Sequence, residues 1–301
     1  MAGIGFIGTG TIGGPMAARL LAHGHALAVY DREPRALQAL IDQGATAADS
    51  VAALARSCTT VCLSLPGPAE IESVVLGTDG LLANAGTLTT IVDLSTNSIA
   101  LARDLAERAR AQGVHYLDAP VSGGKVAARD GKLAIMVGGD AGAFAQVRPL
   151  LACLGEHLFH LGESGAGTLA KLVNNQIFLC ASVLIQEGFV LGAKAGMDPW
   201  TLLEVLKASS AGPLLARAPL LLSHRYDRGL FALGIAAKDI ALALESAAAL
   251  DLTLPLTAAA GEVYQAAVAQ GLGHADFFAT LAVLEQRAGA EVPPLIERGP
   301  V

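Results

Sequence analysis

The first half of the chain alternates short apolar strands with helical stretches, and this pattern leaves few folds open. The apolar runs lack a period of two, which is typical of strands buried on both faces of a sheet. Stretches rich in alanine and leucine, such as residues 98–113, separate them. Strands that alternate with helices predict βαβ units on a mostly parallel sheet. The predicted strands cover residues 3–8, 26–30, 59–65, 90–95, 114–118, 133–139 and 157–162.

From about residue 165 onward the alternation stops, and helical patterns follow one another. The predicted helices cover residues 167–196, 199–209, 236–250, 255–271 and 277–288. A chain of 301 residues is also long for a single hydrophobic core. We therefore predict two domains, an α/β domain over residues 1–163 and an all-α domain over residues 164–301.

The composition excludes several classes of function. With 53% hydrophobic and 16% charged residues, the chain is a globular protein rather than a disordered one. A net charge of −7 without a long basic run predicts no binding to nucleic acid and no polybasic membrane contact. Gln186 and Glu187 interrupt the apolar run 179–193, so no membrane-spanning helix is expected. No signal-type segment is recognised, which favours a cytoplasmic protein, and the cysteine spacing predicts no metal.

A glycine-rich loop follows the first predicted strand. In "GTGTIG", Gly8 would make a tight turn, Gly10 would let the backbone approach a pyrophosphate, and Gly13 would let the helix pack closely on the strand. The pyrophosphate would then lie at the positive N-terminus of the helix. Because the loop stands between a strand and a helix, the first domain is predicted to be a Rossmann-type dinucleotide-binding domain.

The end of the second predicted strand bears on which dinucleotide binds. Asp31 lies 18 residues after Gly13, where a carboxylate accepts hydrogen bonds from the ribose hydroxyls and repels a 2′-phosphate. Arg32 follows directly and would instead suit that phosphate. The sequence therefore favours NAD and leaves NADP open.

Two later segments carry candidate residues for chemistry. Ser122, Gly123 and Gly124 form a short turn whose amides and hydroxyl would suit a carboxylate, or would be a purely structural turn. In "GTLAKLVNNQIFL", Lys171 lies within a mostly apolar helix, where a buried ammonium is costly unless it is paired or changes protonation. Helical spacing puts Lys171 and Asn175 on one face, so both can reach one small molecule. The alternative is a lysine that extends its ammonium to the surface.

Together these segments resemble the β-hydroxyacid dehydrogenase family, which includes 3-hydroxyisobutyrate dehydrogenase and tartronate semialdehyde reductase. The resemblance rests on five motifs in order: "GFIGTGTIGGPMAARL", "VDLST", "DAPVSGG", "GAGTLAKLVNNQ" and "KDI". It implies an NAD(P)-dependent oxidoreductase that interconverts a small 3-hydroxy acid and its semialdehyde or keto acid. It also implies a Rossmann-type domain joined by a long helix to an all-helical domain. The alanine-rich helices favour a homodimer or homotetramer.

The resemblance assigns roles residue by residue. It makes Lys171 the general acid/base and Asn175 its substrate-orienting partner. The implied substrate-binding residues are Ser122, Gly123, Gly124, Asn175 and Lys238. The predicted cofactor-binding residues are Gly8, Thr9, Gly10, Thr11, Ile12, Gly13, Asp31, Arg32, Leu65, Pro66, Thr96 and Lys238, with Thr96 near the nicotinamide. Two positions depart from the family pattern: Lys125, where a small or apolar residue is usual, and Ser98, where many members have proline.

Several readings of the substrate remain open at this stage. Threonate-type sugar acids, serine and tartronate semialdehyde are alternatives to 3-hydroxyisobutyrate. Imine reduction is a more distant alternative, and Lys171 argues against it because imine-reducing relatives commonly lack this proton donor. A non-catalytic cofactor-binding protein is expected to have lost Lys171 or Asn175, and both are present.

Overall fold

The computed structural model describes residues 3–295 and divides the chain into two compact units. The first unit runs to Lys171 and the second begins at Leu172. An α/β unit is followed by an all-α unit, which confirms the predicted fold class.

The first unit contains all the named strands of the described chain. Its elements are β1 (Gly3–Ile7), α1 (Gly13–Ala22), β2 (Leu27–Tyr30), α2 (Gln38–Ile41), β3 (Thr46–Ala47), α3 (Val51–Ser57), β4 (Cys58–Leu63), α4 (Pro68–Leu76), β5 (Thr90–Asp93), α5 (Ile99–Ala111), β6 (His115–Asp118), β7 (Val121–Ser122), α6 (Gly124–Asp130), β8 (Ala134–Val137), α7 (Ala141–Ala152) and β9 (His157–His160). The next helix, α8 (Ala166–Lys194), begins in this unit and continues into the second.

Six parallel strands form the main sheet in the order β3-β2-β1-β4-β5-β6. The strand order reverses between β1 and β4, and in open α/β sheets ligands bind outside the carboxyl ends of the strands at such a point. Phe6 and Ile7 are neighbours on β1 that belong to two different core clusters, since successive side chains point to opposite faces. Both faces of β1 are therefore buried, which explains its continuous apolar run.

The last three strands form a separate sheet in the order β7-β8-β9. Only two residues connect β6 to β7, and a parallel neighbour would need a crossover of a dozen or more. The chain turns instead, and β7 pairs antiparallel with β8. The strands predicted over 133–139 and 157–162 thus exist, but they lie in this second sheet rather than in the main one.

Ser98, one of the two departures from the family pattern, caps the start of a helix. It precedes α5, and its Oγ accepts a hydrogen bond of 3.1 Å from the amide of Leu101. A serine in this position satisfies one of the free amides at a helix start, which stabilises a helix by about 1 kcal/mol. The serine thus replaces the proline of the family pattern with another residue suited to a helix start.

The second unit is made of helices around one core. After α8 come α9 (Pro199–Lys207), α10 (Ala218–Leu221), α11 (Leu233–Ala248), α12 (Pro255–Ala269) and α13 (Thr280–Ala288). Gln186 lies fully buried in this core, where its Nε2 donates to the carbonyl of Phe278 at 2.7 Å and its Oε1 accepts from Thr280 Oγ1 at 2.7 Å. The residue that seemed to interrupt an apolar run therefore joins α8 to the start of α13.

By length and composition alone, α8 could cross a membrane, and one third of its most apolar window is buried. This differs from the sequence-based expectation, because an average over 18 residues tolerates the polar pair Gln186 and Glu187. One such helix is weak evidence for a membrane protein, since core helices of globular proteins meet the same criteria. In the second unit, side chains of α8 such as Leu179 and Phe189 belong to the core.

Candidate functional site

The glycine-rich loop connects β1 to α1 at the reversal of strand order. Gly8 has a positive φ of 87°, and its amide donates to the carbonyl of Tyr30 at 3.0 Å. A Cβ on Gly13 would collide with the carbonyl oxygen of Gly8, so the helix start approaches the loop more closely than any other residue permits. A Cβ on Gly10 would meet nothing within 4 Å. The loop therefore combines close backbone packing with open space at its middle glycine, as a bound pyrophosphate requires.

Asp31 lies beside this loop although it is distant in sequence. Its Oδ2 accepts hydrogen bonds from the amide of Thr9 at 2.7 Å and from Thr9 Oγ1 at 3.3 Å, and its Oδ1 accepts from the amide of Glu33 at 2.9 Å. The structure thus brings the carboxylate and the loop together, as the sequence predicts for a ribose-binding acid. Arg32 is exposed next to it. These residues fit a nicotinamide dinucleotide.

The ends of β4 and β5 carry the other predicted cofactor contacts. The amide of Leu65 donates to Ser95 Oγ at 2.9 Å, so the segment of Leu65 and Pro66 is tied to the segment that contains Thr96. Thr96 is half-buried, and Pro66 is exposed. Both segments follow the carboxyl ends of neighbouring strands, where the fold places its ligand.

A buried polar cluster that sequence reasoning missed lies beneath Ser95. Asp93 ends β5 and is fully buried; its Oδ1 accepts from the amide of Ser95 at 3.0 Å, and its Oδ2 accepts from the hydroxyl of Tyr116 at 2.6 Å. Asn97 Nδ2 adds contacts to Tyr116 Oη at 3.2 Å and to Asp93 Oδ2 at 3.4 Å. Burial raises the pKa of Asp93 to about 6, although the hydrogen bonds from Ser95 and Tyr116 lower it. Within "VDLST" the aspartate was visible, but its partner Tyr116 lies on the next strand.

We expect Asp93 to make the protein less stable as the pH rises from about 4 to about 6. The ordinary pKa of this carboxyl is 3.8, so in this window the folded state binds a proton that the unfolded state has lost. The resulting loss in the free energy of unfolding is about 3 kcal/mol. It is checked by urea unfolding of the wild type and Asp93→Asn at pH 4.5 and pH 7. The same pH dependence in both proteins would contradict this assignment; Asp49→Asn, at an exposed carboxylate, is the matched control.

Ser122 ends β7 and leads into the turn formed with Gly123 and Gly124. Gly123 and Gly124 have φ values of 135° and 72°, a region that favours glycine, and α6 begins at Gly124. The amides of this turn thus precede a helix N-terminus, an arrangement suited to a carboxylate. Lys125 lines an open groove with Arg19 of α1 and Arg129 of α6.

Lys171 lies in the second turn of α8 and is half-buried. The first turn of this helix is fixed by the side chain of Asp118, whose Oδ1 accepts from the amide of Gly165 at 2.8 Å and whose Oδ2 accepts from the amide of Thr168 at 2.7 Å. Asn175 follows Lys171 by four residues on the same continuous helix, so both lie on one helical face.

In the second unit, Asn175 and Lys238 meet at one buried carboxylate. Asn175 is 4% exposed, and its Nδ2 donates to Asp239 Oδ2 at 2.6 Å. Lys238 Nζ lies 3.1 Å from Asp239 Oδ1. The Oδ1 of Asn175 also accepts a hydrogen bond of 2.9 Å from Asn174. Asp239 was not among the predicted site residues, although the motif "KDI" contains it, because its partner on α8 is 64 residues away.

Comparisons with known proteins agree over most of the described chain. The family model for the NAD-binding domain of 6-phosphogluconate dehydrogenase matches residues 3–162. The model described as NAD-binding of NADP-dependent 3-hydroxyisobutyrate dehydrogenase matches residues 165–284. The 3-hydroxyisobutyrate dehydrogenase of Pseudomonas aeruginosa is 40% identical, with 88% of this chain and 91% of that protein covered.

Two further relatives are associated with other acids. The 2-(hydroxymethyl)glutarate dehydrogenase of Eubacterium barkeri is 36% identical, over 96% of this chain and 97% of that protein. Among solved structures, 3-hydroxyisobutyrate dehydrogenase of Mycobacterium tuberculosis with L-serine has a TM-score of 0.84 at 30% identity, and 94% of this chain and 99% of that chain are covered. All three are named as hydroxy-acid dehydrogenases, but the acid is not the same throughout: one is named for 2-(hydroxymethyl)glutarate, and one structure contains L-serine.

Proposed function

Because the chain belongs to the β-hydroxyacid dehydrogenase family and is an NAD(P)-dependent dehydrogenase of 3-hydroxy acids, we propose that Lys171 is the general acid/base of its reaction. The observation that carries the proposal is the position of Lys171 in α8. It lies one helical turn before Asn175, whose side-chain amide donates a hydrogen bond to Asp239. The first-choice substrate is 3-hydroxyisobutyrate. Serine, threonate-type sugar acids and tartronate semialdehyde are the alternatives.

Each predicted site residue has a separate role in the proposed reaction. A nicotinamide cofactor held by the glycine-rich loop and Asp31 would supply the hydride chemistry at the carbon that carries the hydroxyl, as acceptor in oxidation and as donor in reduction. In oxidation, the amine of Lys171 takes the hydroxyl proton; in reduction, its ammonium returns the proton to the developing alkoxide and stabilises its negative charge. The turn Ser122–Gly124 binds the carboxylate, and Asn175 orients the hydroxyl. Lys238 borders the site beside Asp239.

The reaction is tested by the absorbance of the reduced nicotinamide while the purified protein meets a panel of hydroxy acids. The panel contains 3-hydroxyisobutyrate, L-serine, glycerate, L-threonate and D-threonate, each with NAD and with NADP. We expect turnover with at least one acid and the highest kcat/KM for 3-hydroxyisobutyrate. Turnover with another acid only would identify that acid as the substrate in place of 3-hydroxyisobutyrate. The absence of turnover with every acid, although the cofactor binds, would overturn the proposed reaction.

Asp31 gives a separate prediction about the cofactor. Asp31→Ala is expected to raise the Kd for NAD by about 10- to 100-fold, because the charge-assisted hydrogen bonds to the ribose are lost. The Kd for NADP is expected to change less, since the same substitution removes the repulsion of the 2′-phosphate. The Kd values are measured by titration of both oxidised cofactors. Equal weakening of the two would mean that the variant acts through the hydrogen bond to Thr9 alone.

We also propose a homodimer or homotetramer in the cytoplasm, in which residues 1–163 bind the cofactor and residues 164–301 serve substrate binding and assembly. Support comes from Ile177, Leu184 and Leu191, which recur every seven residues on α8 and are 64%, 63% and 72% exposed. Such spacing forms an apolar stripe suited to another helix.

Leu184→Lys is expected to lower the mass measured by light scattering, and an unchanged mass would contradict a role for this stripe.

A further inference from the structure

Asp118 ends one strand, and its side chain caps a helix that begins far away in the sequence. It ends β6, and its side chain is 1% exposed. Its two carboxylate oxygens accept hydrogen bonds from the amide that precedes α8 and from the amide of the third residue of α8. A residue just before a helix normally supplies such a cap with its own side chain. Here that residue is Gly165, which has no side chain, so a carboxylate from 47 residues earlier caps the helix.

Two glycines let the start of α8 pack directly against the end of β6. A Cβ on Gly167 would collide with the carbonyl oxygen of Met136 and would lie 2.5 Å from the carbonyl oxygen of Asp118. A Cβ on Gly138 would lie 2.6 Å from Asp118 Oδ1 and 2.9 Å from the amide nitrogen of Ala166. Because backbone meets backbone here, the first turn of α8 has little freedom to shift or rotate.

The backbone of Asp118 belongs to the segment that leads to Ser122. Its carbonyl accepts from the amide of Gly138 at 2.8 Å, and Ser122 pairs with Ala134 on β8. The side chain of Asp118 therefore fixes the helix that carries Lys171, and its backbone fixes the strand that leads into the carboxylate-binding turn. Lys171 is three residues after Thr168, so a rotation of the first turn would displace the ammonium directly.

We propose that Asp118 is a positioning residue for catalysis, which holds the start of α8 so that Lys171 keeps a fixed place relative to the Ser122–Gly124 turn. This inference rests on the proposed role of Lys171. Burial raises the pKa of Asp118, whereas the hydrogen bonds from the two backbone amides at the positive end of the helix dipole lower it. Because Asp118 is 1% exposed and each of its oxygens accepts a backbone amide, it acts through α8 and not by contact with the substrate.

Asp118→Asn tests the proposal with a side chain of the same shape. The new amide group would face one of the two backbone N–H donors, so one hydrogen bond is lost and the first turn shifts. We expect kcat to fall by about 10- to 100-fold, the scale of a misplacement near 1 Å, with the Kd for NAD within about two-fold. Asp140→Asn is the matched control, because Asp140 caps α7 through the amide of Ala143 at 2.7 Å in the same unit. It is expected to keep kcat unchanged.

A double-mutant cycle separates positioning of Lys171 from other effects. If Asp118 acts through Lys171, Asp118→Asn lowers kcat in the wild type and leaves the residual rate of Lys171→Ala unchanged. An equal fall in both backgrounds, or wild-type kcat in Asp118→Asn, would overturn the inference. If Lys171→Ala itself keeps full turnover, the proposed function fails instead. Should Asp118→Asn not fold, Thr168→Pro is a second variant, because proline has no backbone N–H to donate to Asp118 Oδ2. A wild-type kcat in Thr168→Pro would also count against the proposal.

Discussion

Replacement of Lys171 by alanine is expected to lower turnover by about 10²- to 10⁴-fold, the usual effect of losing a general acid/base. A lysine ammonium is the proton donor in the reduction direction, and alanine leaves the developing alkoxide without a donor and without a compensating charge. The cofactor loop joins β1 to α1, and Asp31 directly follows β2, so the Kd for NAD should stay within about two-fold. Steady-state kinetics with the preferred acid, together with cofactor titration, measures both quantities.

Two variants show what the lysine contributes. Lys171→Arg keeps a cation but replaces it with a group that does not release its proton in proteins, so it should restore charge stabilisation without proton transfer and remain well below the wild type. Lys194→Ala is the matched control, since Lys194 ends the same helix and donates to the carbonyl of Gly289 at 3.2 Å. Turnover like the wild type in Lys171→Ala would remove Lys171 from the proposed mechanism.

The sequence predicts those features of the fold that short segments encode. Runs buried on both faces identified β1, β2, β4, β5 and β6, and glycine spacing identified the loop before α1. Asp31 could be placed beside that loop because consecutive strands of a parallel sheet end at the same edge. The start of α11 at Leu233, three residues before the predicted one, depends on a hydrogen bond from its amide to the carbonyl of Ala275 and was therefore not visible locally.

The buried carboxylates show where sequence reasoning stops. Asp93, Asp118 and Asp239 all lie inside motifs that the sequence makes conspicuous, and each is at most 1% exposed. Their partners lie on other strands or helices, at separations such as 23, 50 and 64 residues. An aspartate in a motif is most simply interpreted as a ligand for substrate or cofactor. Here all three instead accept hydrogen bonds from protein groups that carry or adjoin the predicted site residues.

Gly13→Ala is expected to raise the Kd for NAD by at least about 100-fold and to destabilise the first unit. The added Cβ would collide with the carbonyl oxygen of Gly8 and would lie 3.0 Å from the Cβ of Ser64. Both neighbours belong to buried or half-buried backbone segments, so the loop must move away from the helix. Loss of two charge-assisted hydrogen bonds to the pyrophosphate, at about 1.5–3 kcal/mol each, accounts for the expected loss of affinity. Cofactor titration and thermal unfolding measure the two effects.

Gly10→Ala tests cofactor binding separately from the packing of the loop. Its Cβ would meet nothing within 4 Å, so the protein should unfold at the wild-type temperature. The same methyl group would occupy the space through which the pyrophosphate approaches the backbone, so the Kd for NAD should still rise about ten-fold or more. Gly188→Ala, at a helical glycine with equally open surroundings, should leave the Kd for NAD unchanged and raise the unfolding temperature slightly, because alanine favours a helix more than glycine does. If Gly10→Ala binds NAD as tightly as the wild type, the dinucleotide does not lie against this loop, and the predicted contacts of residues 8–13 are wrong.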